Sequence, residues 1–220
     1  MKRRSLFLAA AAGLLVLAVG APKSQAGTLD TLLGTTVSNN GLNFFFDSWS
    51  DVTVPASAVT VNFNPPGTQA GFTLTGPFGA VAGATADGNL WFNVTGANIT
   101  DAQLTATLAI SPANTTGLAS VIEAIYSGGG PPVTGQQLAT LYTQTNPPGP
   151  EITNATFGPQ TEITVDKNIE AHGGSTGASI SSVSQLFSTS IPEPTSLALL
   201  GIGLSGLFTL RRFFKRTSVA

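Results

Sequence analysis

Apolar residues recur at every second position along most of the chain between its two ends, and the i, i+3, i+4 spacing of a helix is scarce there. Val59, Val61 and Phe63 alternate with Thr60, Asn62 and Asn64 until Pro65-Pro66-Gly67 ends the run. Phe72 and Leu74 alternate with Thr73 and Thr75 ahead of Gly76-Pro77. Leu90, Phe92 and Val94 share a side opposite Trp91, Asn93 and Thr95, and Leu104, Ala106, Leu108 and Ile110 do the same opposite Thr105 and Thr107. Each run predicts a half-buried strand, with Thr, Ser and Asn rather than Lys and Glu facing water. Ile152 to Phe157, Thr161 to Ala171 and Ile180 to Ser188 supply three more. Leu118 to Tyr126 reads either as a strand carrying Ile122, Ala124 and Tyr126 on one side or as a short helix. Gln136 to Tyr142 is open between strand and helical turn.

Turn chemistry separates these runs. Asn39-Asn40-Gly41 divides Thr36-Val37-Ser38 from Leu42-Asn43-Phe44, and Asp87-Gly88-Asn89 precedes the Trp91 strand; both predict hairpin loops, because Gly and Asn accept positive φ. Ser127 to Thr134 and Asn146 to Pro150, rich in Gly and Pro, are too short to divide domains. About 8–10 short strands at turn-separated intervals predict an all-β fold, an antiparallel β-sandwich over residues 27–190.

Composition sharpens this picture. Of the nine basic residues only Lys167 lies between residues 27 and 191, against ten acids (Asp30, Asp47, Asp51, Asp87, Asp101, Glu123, Glu151, Glu162, Asp166 and Glu170), a net charge of −9. One cation cannot neutralise phosphates by counterion release, which excludes nucleic acid as a partner. The same charge repels anionic membrane surfaces and acidic polysaccharide. Cysteine is absent, so stability rests on core burial; a domain of about 150 residues removes roughly 68–70% of its unfolded surface from water.

The ends address the chain outward. Met1-Lys2-Arg3-Arg4, the Ala/Leu-rich stretch Ser5 to Gly20 and Ser24-Gln25-Ala26 read as a secretory signal peptide over residues 1–26, cleaved after Ala26. At the other end Pro192-Glu193-Pro194 precedes an apolar run, Ser196 to Leu210, and then Arg211-Arg212-Phe213-Phe214-Lys215-Arg216. As a transmembrane helix, residues 196–210 reach about 22 Å of a roughly 30 Å hydrocarbon core. Phe213 and Phe214 extend the helix and the arginines snorkel. The basic stop Arg211, Arg212, Lys215 and Arg216 holds that end in the cytoplasm and places the body across the membrane.

This order of parts, Pro-Glu-Pro, short apolar helix, basic stop, chain end, resembles the PEP-CTERM protein-sorting signal of Gram-negative, polysaccharide-producing bacteria, over residues 191–216. The resemblance implies that an exosortase, an integral-membrane cysteine protease, processes the chain near the tripeptide and passes it to the cell surface. The other reading of the same residues is a plain C-terminal anchor; both leave the body outside the cytoplasm. A second resemblance lies just upstream. Ile163 to Ile169, with its V-x-K-x-I pattern, and Ser181 to Phe187, with S-x-x-x-Q-x-F, look like the last two strands of many PEP-CTERM ectodomains. The opening from Leu32-Leu33-Gly34 to Phe44-Phe45-Phe46 is similar to their first hairpin. These likenesses imply structure and no catalytic role.

Candidate chemistry is sparse. His172 is the one histidine, beside Gly173-Gly174 in an expected loop, and no G-x-S-x-G elbow occurs in the body, so the chain is expected not to be an enzyme. Asp166 and Glu170, about 13 Å apart on one side of a strand, are too distant for retaining glycoside hydrolysis, and Asp47 and Asp51 converge only if a turn brings them together. No cofactor is expected; incidental Ca²⁺ binding would use Asp47, Asp51, Asp87, Asn89 and Asp101 near strand ends. Sugar stacking would use Trp91 first, then Trp49 and Tyr142. The expected role is a structural or adhesive component of the cell surface or extracellular matrix, the alternative an exopolysaccharide-binding module, and a carboxylate-based hydrolase comes third.

Overall fold

The computed structural model describes residues 25–50, 53–110, 116–129, 135–145 and 152–189. The signal-peptide segment ahead of Gln25, Asp51, the sorting tripeptide Pro192, Glu193 and Pro194, the 196–210 helix and the basic stop lie outside the described residues. Among the described residues no helix is long and apolar enough to cross a membrane.

Eleven strands carry the described fold: β1 (Ala26–Thr28), β2 (Thr36–Asn39), β3 (Leu42–Ser50), β4 (Thr60–Phe63), β5 (Ala70–Thr75), β6 (Phe78–Ala80), β7 (Thr85–Ile110), β8 (Leu118–Ser127), β9 (Gln137–Gln144), β10 (Ile152–His172) and β11 (Ala178–Thr189). Every ladder between them is antiparallel. The four-residue helix α1 (Leu29–Leu32) follows β1. Both open segments, Leu118 to Tyr126 and Gln136 to Tyr142, are strands.

Two of the expected breaks are absent, which merges strands instead of adding them. β7 runs unbroken through Asp87-Gly88-Asn89, and β10 joins the two runs expected as separate strands. Gly88 is there for space: a Cβ would meet Trp49 Cη2 at 2.3 Å, so the indole lies where a side chain would stand. The two long strands bend in register with each other. β10 slips against β7 between Thr156 and Glu162, around Gly158-Pro159, and Asn98 of β7 takes φ 55 at the same level. Bulges of this kind let one strand serve two layers. The N-terminal half of β7 pairs with β3 and the C-terminal half of β10; its C-terminal half pairs with β11.

The hairpin at Asn40-Gly41 forms as expected. Asn39 pairs with Leu42 across two residues of positive φ, 47° and 87°, the left-handed geometry that matches strand twist. Asn39 also braces the opposite layer, its Nδ2 donating to the Asn64 carbonyl and its Oδ1 accepting from Gly71 N.

Six phenylalanines make the centre of the core. Phe44 and Phe46 of β3 and Phe92 of β7 face Phe63 of β4, Phe72 of β5 and Phe187 of β11, with ring centroids 5.3–6.3 Å apart and mostly edge-to-face. Because β3 has no ladder with β4 or β5, these contacts cross between two packed layers, the arrangement of a sandwich.

The expected signal cleavage bond, Ala26–Gly27, falls inside β1. Ala26 pairs with Asn62, and Gly27 and Thr28 pair with Val61 and Thr60. Cleavage there removes the Ala26 pairing and the Gln25 carbonyl that accepts from Phe63 N, leaving Gly27 and Thr28 to hold the strand.

Candidate functional site

Strand register gathers the outward side chains of β3, β7, β10, β8 and β9 into rows. One row runs Phe45, Asn93, Thr164, Tyr126; the next Ser48, Trp91, Asp166, Ala124, Thr140; a third Ser50, Asn89, Asn168, Ile122, Tyr142. Partners directly opposite share a face, so these residues form one surface on the side away from the phenylalanine core. Trp91, Phe45 and Tyr126 are half-buried in it, and Tyr142 and Ile122 stand exposed at 48% and 46%. Strands lie about 4.8 Å apart, so Trp91 and Tyr142, three strands apart, are separated by about 14 Å across the sheet.

Trp49, the second aromatic expected to stack on sugars, is not on this surface. A bulge in β3 between Phe46 and Ser48 reverses the alternation, so Trp49 pairs with Leu90 on the inner side. Its ring packs on Phe78 at 6.2 Å and its Nε1–H donates 2.9 Å to the Val54 carbonyl. Trp49 is thus turned away from the outward surface, with its N–H engaged.

Amides and carboxylates fill the ground between the outward rings. Thr164 Oγ1 lies 2.9 Å from Asn93 Oδ1 and 2.8 Å from the Gly128 carbonyl. Asn168 Nδ2 donates to Asp87 Oδ1 at 3.1 Å. Asn89 Oδ1 and Asp166 Oδ1, beside Trp91, are covered acceptors without a donor. Burial raises the Asp166 carboxyl above its ordinary 3.8, and the Asn89 hydrogen bond opposes this. The sign follows: a raised folded-state pKa penalises folding above it, the penalty being absent below the ordinary value and complete above the raised one. Asp166→Asn is therefore expected to raise the melting temperature at pH 7 relative to the parent and to leave it unchanged well below pH 3.8; thermal melts across that range check it.

His172 is corrected from loop to strand: it is the last residue of β10, its Nδ1 2.9 Å from Thr85 Oγ1 and its Nε2 2.6 Å from Glu170 Oε1. It shares the outward surface, held between the Glu170 carboxylate and the Thr85 hydroxyl. Asp166 and Glu170 share that surface too, Glu170 being engaged with His172. The residues weighed for Ca²⁺ are dispersed: Asp47 sits at the β3 bulge, Asp87 and Asn89 on the outward surface, and Asp101 in the other half of β7, accepting from Ser188 N. Among the described residues no group of three or more His, Asp or Glu is placed to hold a metal ion. A groove of about 550 Å³ between the ends of β7 and β9 is lined by Thr105, Thr107, Ile110, Thr143, Gln144 and Ile152 among others, and none of its described lining residues is charged or aromatic.

A second polar group lies inside the molecule. Lys167 of β10 and Glu123 of β8 are direct cross-strand partners, both fully buried, and their side chains form an ion pair. Lys167 Nζ also donates 2.7 Å to Oε1 of Gln185, buried on β11 in the opposite layer. The sequence carries a signal for this cluster: Lys167 stands two residues from Val165 and from Ile169, and Glu123 two from Val121 and from Ile125, all on core-facing positions. Ile122, Ala124 and Tyr126 share a face as expected, but it is the outward one, and the core side carries the glutamate.

Comparison with known proteins bears on the tail. No curated relative matches the chain. Solved structures similar to it include TmCBM61 in complex with β-1,4-galactotriose (13% identity, TM-score 0.33, 64% of this chain and 88% of that one). Others are a loop-swap mutant of Xyn11A from Necallimastix patriciarum (10%, 0.31, 74% and 100%) and the Gap123 complex from Streptococcus agalactiae (10%, 0.28, 70% and 27%). Overlaps this shallow decide nothing about a ligand. Residues 190–212 match the PEP-CTERM protein-sorting motif, in accord with the Pro-Glu-Pro, apolar and basic order of the sequence. The chain thus carries at its carboxyl end a PEP-CTERM sorting signal, which implies export, a membrane-anchored intermediate and processing by an exosortase, a membrane protease.

Proposed function

We propose that the exported body is an adhesive surface component that holds neutral polysaccharide on the outward surface of β3, β7, β10, β8 and β9. The observation that carries this reading is the gathering of Trp91, Tyr126 and Tyr142 on one surface with Asn89, Asn93, Asp166 and Asn168 between them. Aromatic faces supply contact area at low entropic cost, and amide and carboxylate oxygens orient a polyhydroxylated ligand. A sugar hydroxyl donated to Asn89 Oδ1 or Asp166 Oδ1, after a small side-chain rotation, would satisfy an acceptor that is otherwise buried without a partner. The excess of acids over the single lysine restricts the ligand to neutral chains. Before processing, the apolar tail keeps this surface tethered to the membrane; after it, the body carries the surface outward.

Trp91 fluorescence tests the reading. Trp49 is held inside by Val54 and Phe78, so a spectral response to a soluble neutral polysaccharide reports Trp91. Trp91→Ala is expected to weaken binding by about tenfold or more, equivalent to about 1.4 kcal/mol, while the melting temperature barely moves. An emission spectrum indifferent to exopolysaccharide purified from a producing strain, together with no retention on that polysaccharide in affinity electrophoresis, would remove the proposal.

A further inference from the structure

The structure assigns chemistry to the buried cluster: we propose that Lys167 and Gln185 join in an intramolecular isopeptide bond, with Glu123 relaying the proton. Three observations carry it. Nucleophile and acyl group are already in contact, Lys167 Nζ lying 2.7 Å from Gln185 Oε1 in a site where all three side chains are fully buried. Proximity of this kind converts a slow encounter into a unimolecular step. Glu123 touches the same Nζ, as a general acid–base must. The two atoms between which the proton must pass, Glu123 Oε1 and Gln185 Nε2, make no hydrogen bond to any group outside the cluster and interact with each other.

The step balances without any other reagent. Neutral Lys167 Nζ attacks Gln185 Cδ while protonated Glu123 delivers its proton to Nε2 from one carboxyl oxygen and takes up the Nζ proton on the other. The Nζ–Cδ bond forms, the Cδ–Nε2 bond breaks, and ammonia leaves. Burial favours the reactive protonation states: desolvation lowers the Lys167 amine and raises the Glu123 carboxyl, each opposed by its partner's charge. An uncharged amine beside a protonated acid is the form that attack requires.

The product ties β10 of one layer to β11 of the other. β11 is the last described strand before the sorting tail, so load entering the body from its carboxyl end reaches it first. A covalent tie to β10 spreads that load into both layers and shortens the loop released on unfolding. An exported domain without cysteine has in this bond a covalent staple that needs no oxidant.

Sequence makes the test simple, because Lys167 is the one tryptic position between residues 27 and 191. The full chain, purified in detergent, is denatured and digested with trypsin. The expected result is a chain resistant at Lys167, an intact mass lower by one ammonia than its sequence requires, and a spectrum that places the link between Lys167 and Gln185. Glu123→Gln, which keeps the side-chain shape, is expected to retain β-sheet circular dichroism, lose the mass deficit and become cleavable at Lys167. Separate fragments ending at Lys167 and beginning at Asn168 from the folded parent, at full sequence mass, would overturn the proposal whatever the variant does.

Discussion

Glu123→Leu is expected to destabilise the body by roughly 3–5 kcal/mol, because it leaves Lys167 as a buried amine without its counter-charge. The side chains of Lys167 and Glu123 have no exposed surface, so water cannot take over the lost interaction. Adding Lys167→Met removes the stranded group, and the double variant is expected to regain much of the loss, since a buried ion pair exchanges for apolar residues of similar volume at little net change. Recovery stays incomplete because Gln185 then keeps a buried amide with no partner and, without Lys167, the proposed bond between β10 and β11 cannot form. Urea unfolding of the parent, both single variants and the double measures the loss and the recovery. A single Glu123→Leu variant as stable as the parent would show that the cluster is not closed to water.

Phe72→Ala comes next in size, at roughly 3–5 kcal/mol for a large-to-small change in a packed core. Phe72 is fully buried and touches four rings, those of Phe44, Phe46, Phe63 and Phe92, with centroids 5.3–5.9 Å away. The void falls where the two layers meet, and four neighbouring rings held by their own strands cannot all collapse into it. Phe45→Ala makes the contrast: on the outward side of β3, between two of these core rings in sequence, it is expected to shift the unfolding midpoint much less. Equal effects of the two variants would mean that the layers do not meet at Phe72.

The period of two found nearly every strand, and the places where it misled share one physical cause. Alternation says which residues lie on a common side; it does not say which side is the core. On β8 the run Ile122, Ala124, Tyr126 is apolar and faces out, while the side that holds Glu123 faces in, because Lys167 on the neighbouring strand neutralises it. A bulge at Asp47, which no composition marks, moves Trp49 from the outward surface to the inner one. Gly88, with Asp and Asn on either side, has the chemistry of a turn, yet serves to admit the Trp49 ring. In each case a residue distant in the chain decides the role of a local pattern.

What the chain determined by itself is local or additive: the strand periodicity, the two-residue Asn40-Gly41 turn, the acidic body with its lone cation and the sorting signal at its end, since each depends on neighbouring residues or on a sum of charges. Tertiary structure alone decided the pairing of Lys167 with Glu123 and Gln185, the inward turn of Trp49 and the meeting of Trp91, Tyr126 and Tyr142 on one surface. Those arrangements rest on register between strands far apart in sequence, and register is set by the whole core at once: a shift of one residue would exchange the inner face for the outer along an entire strand.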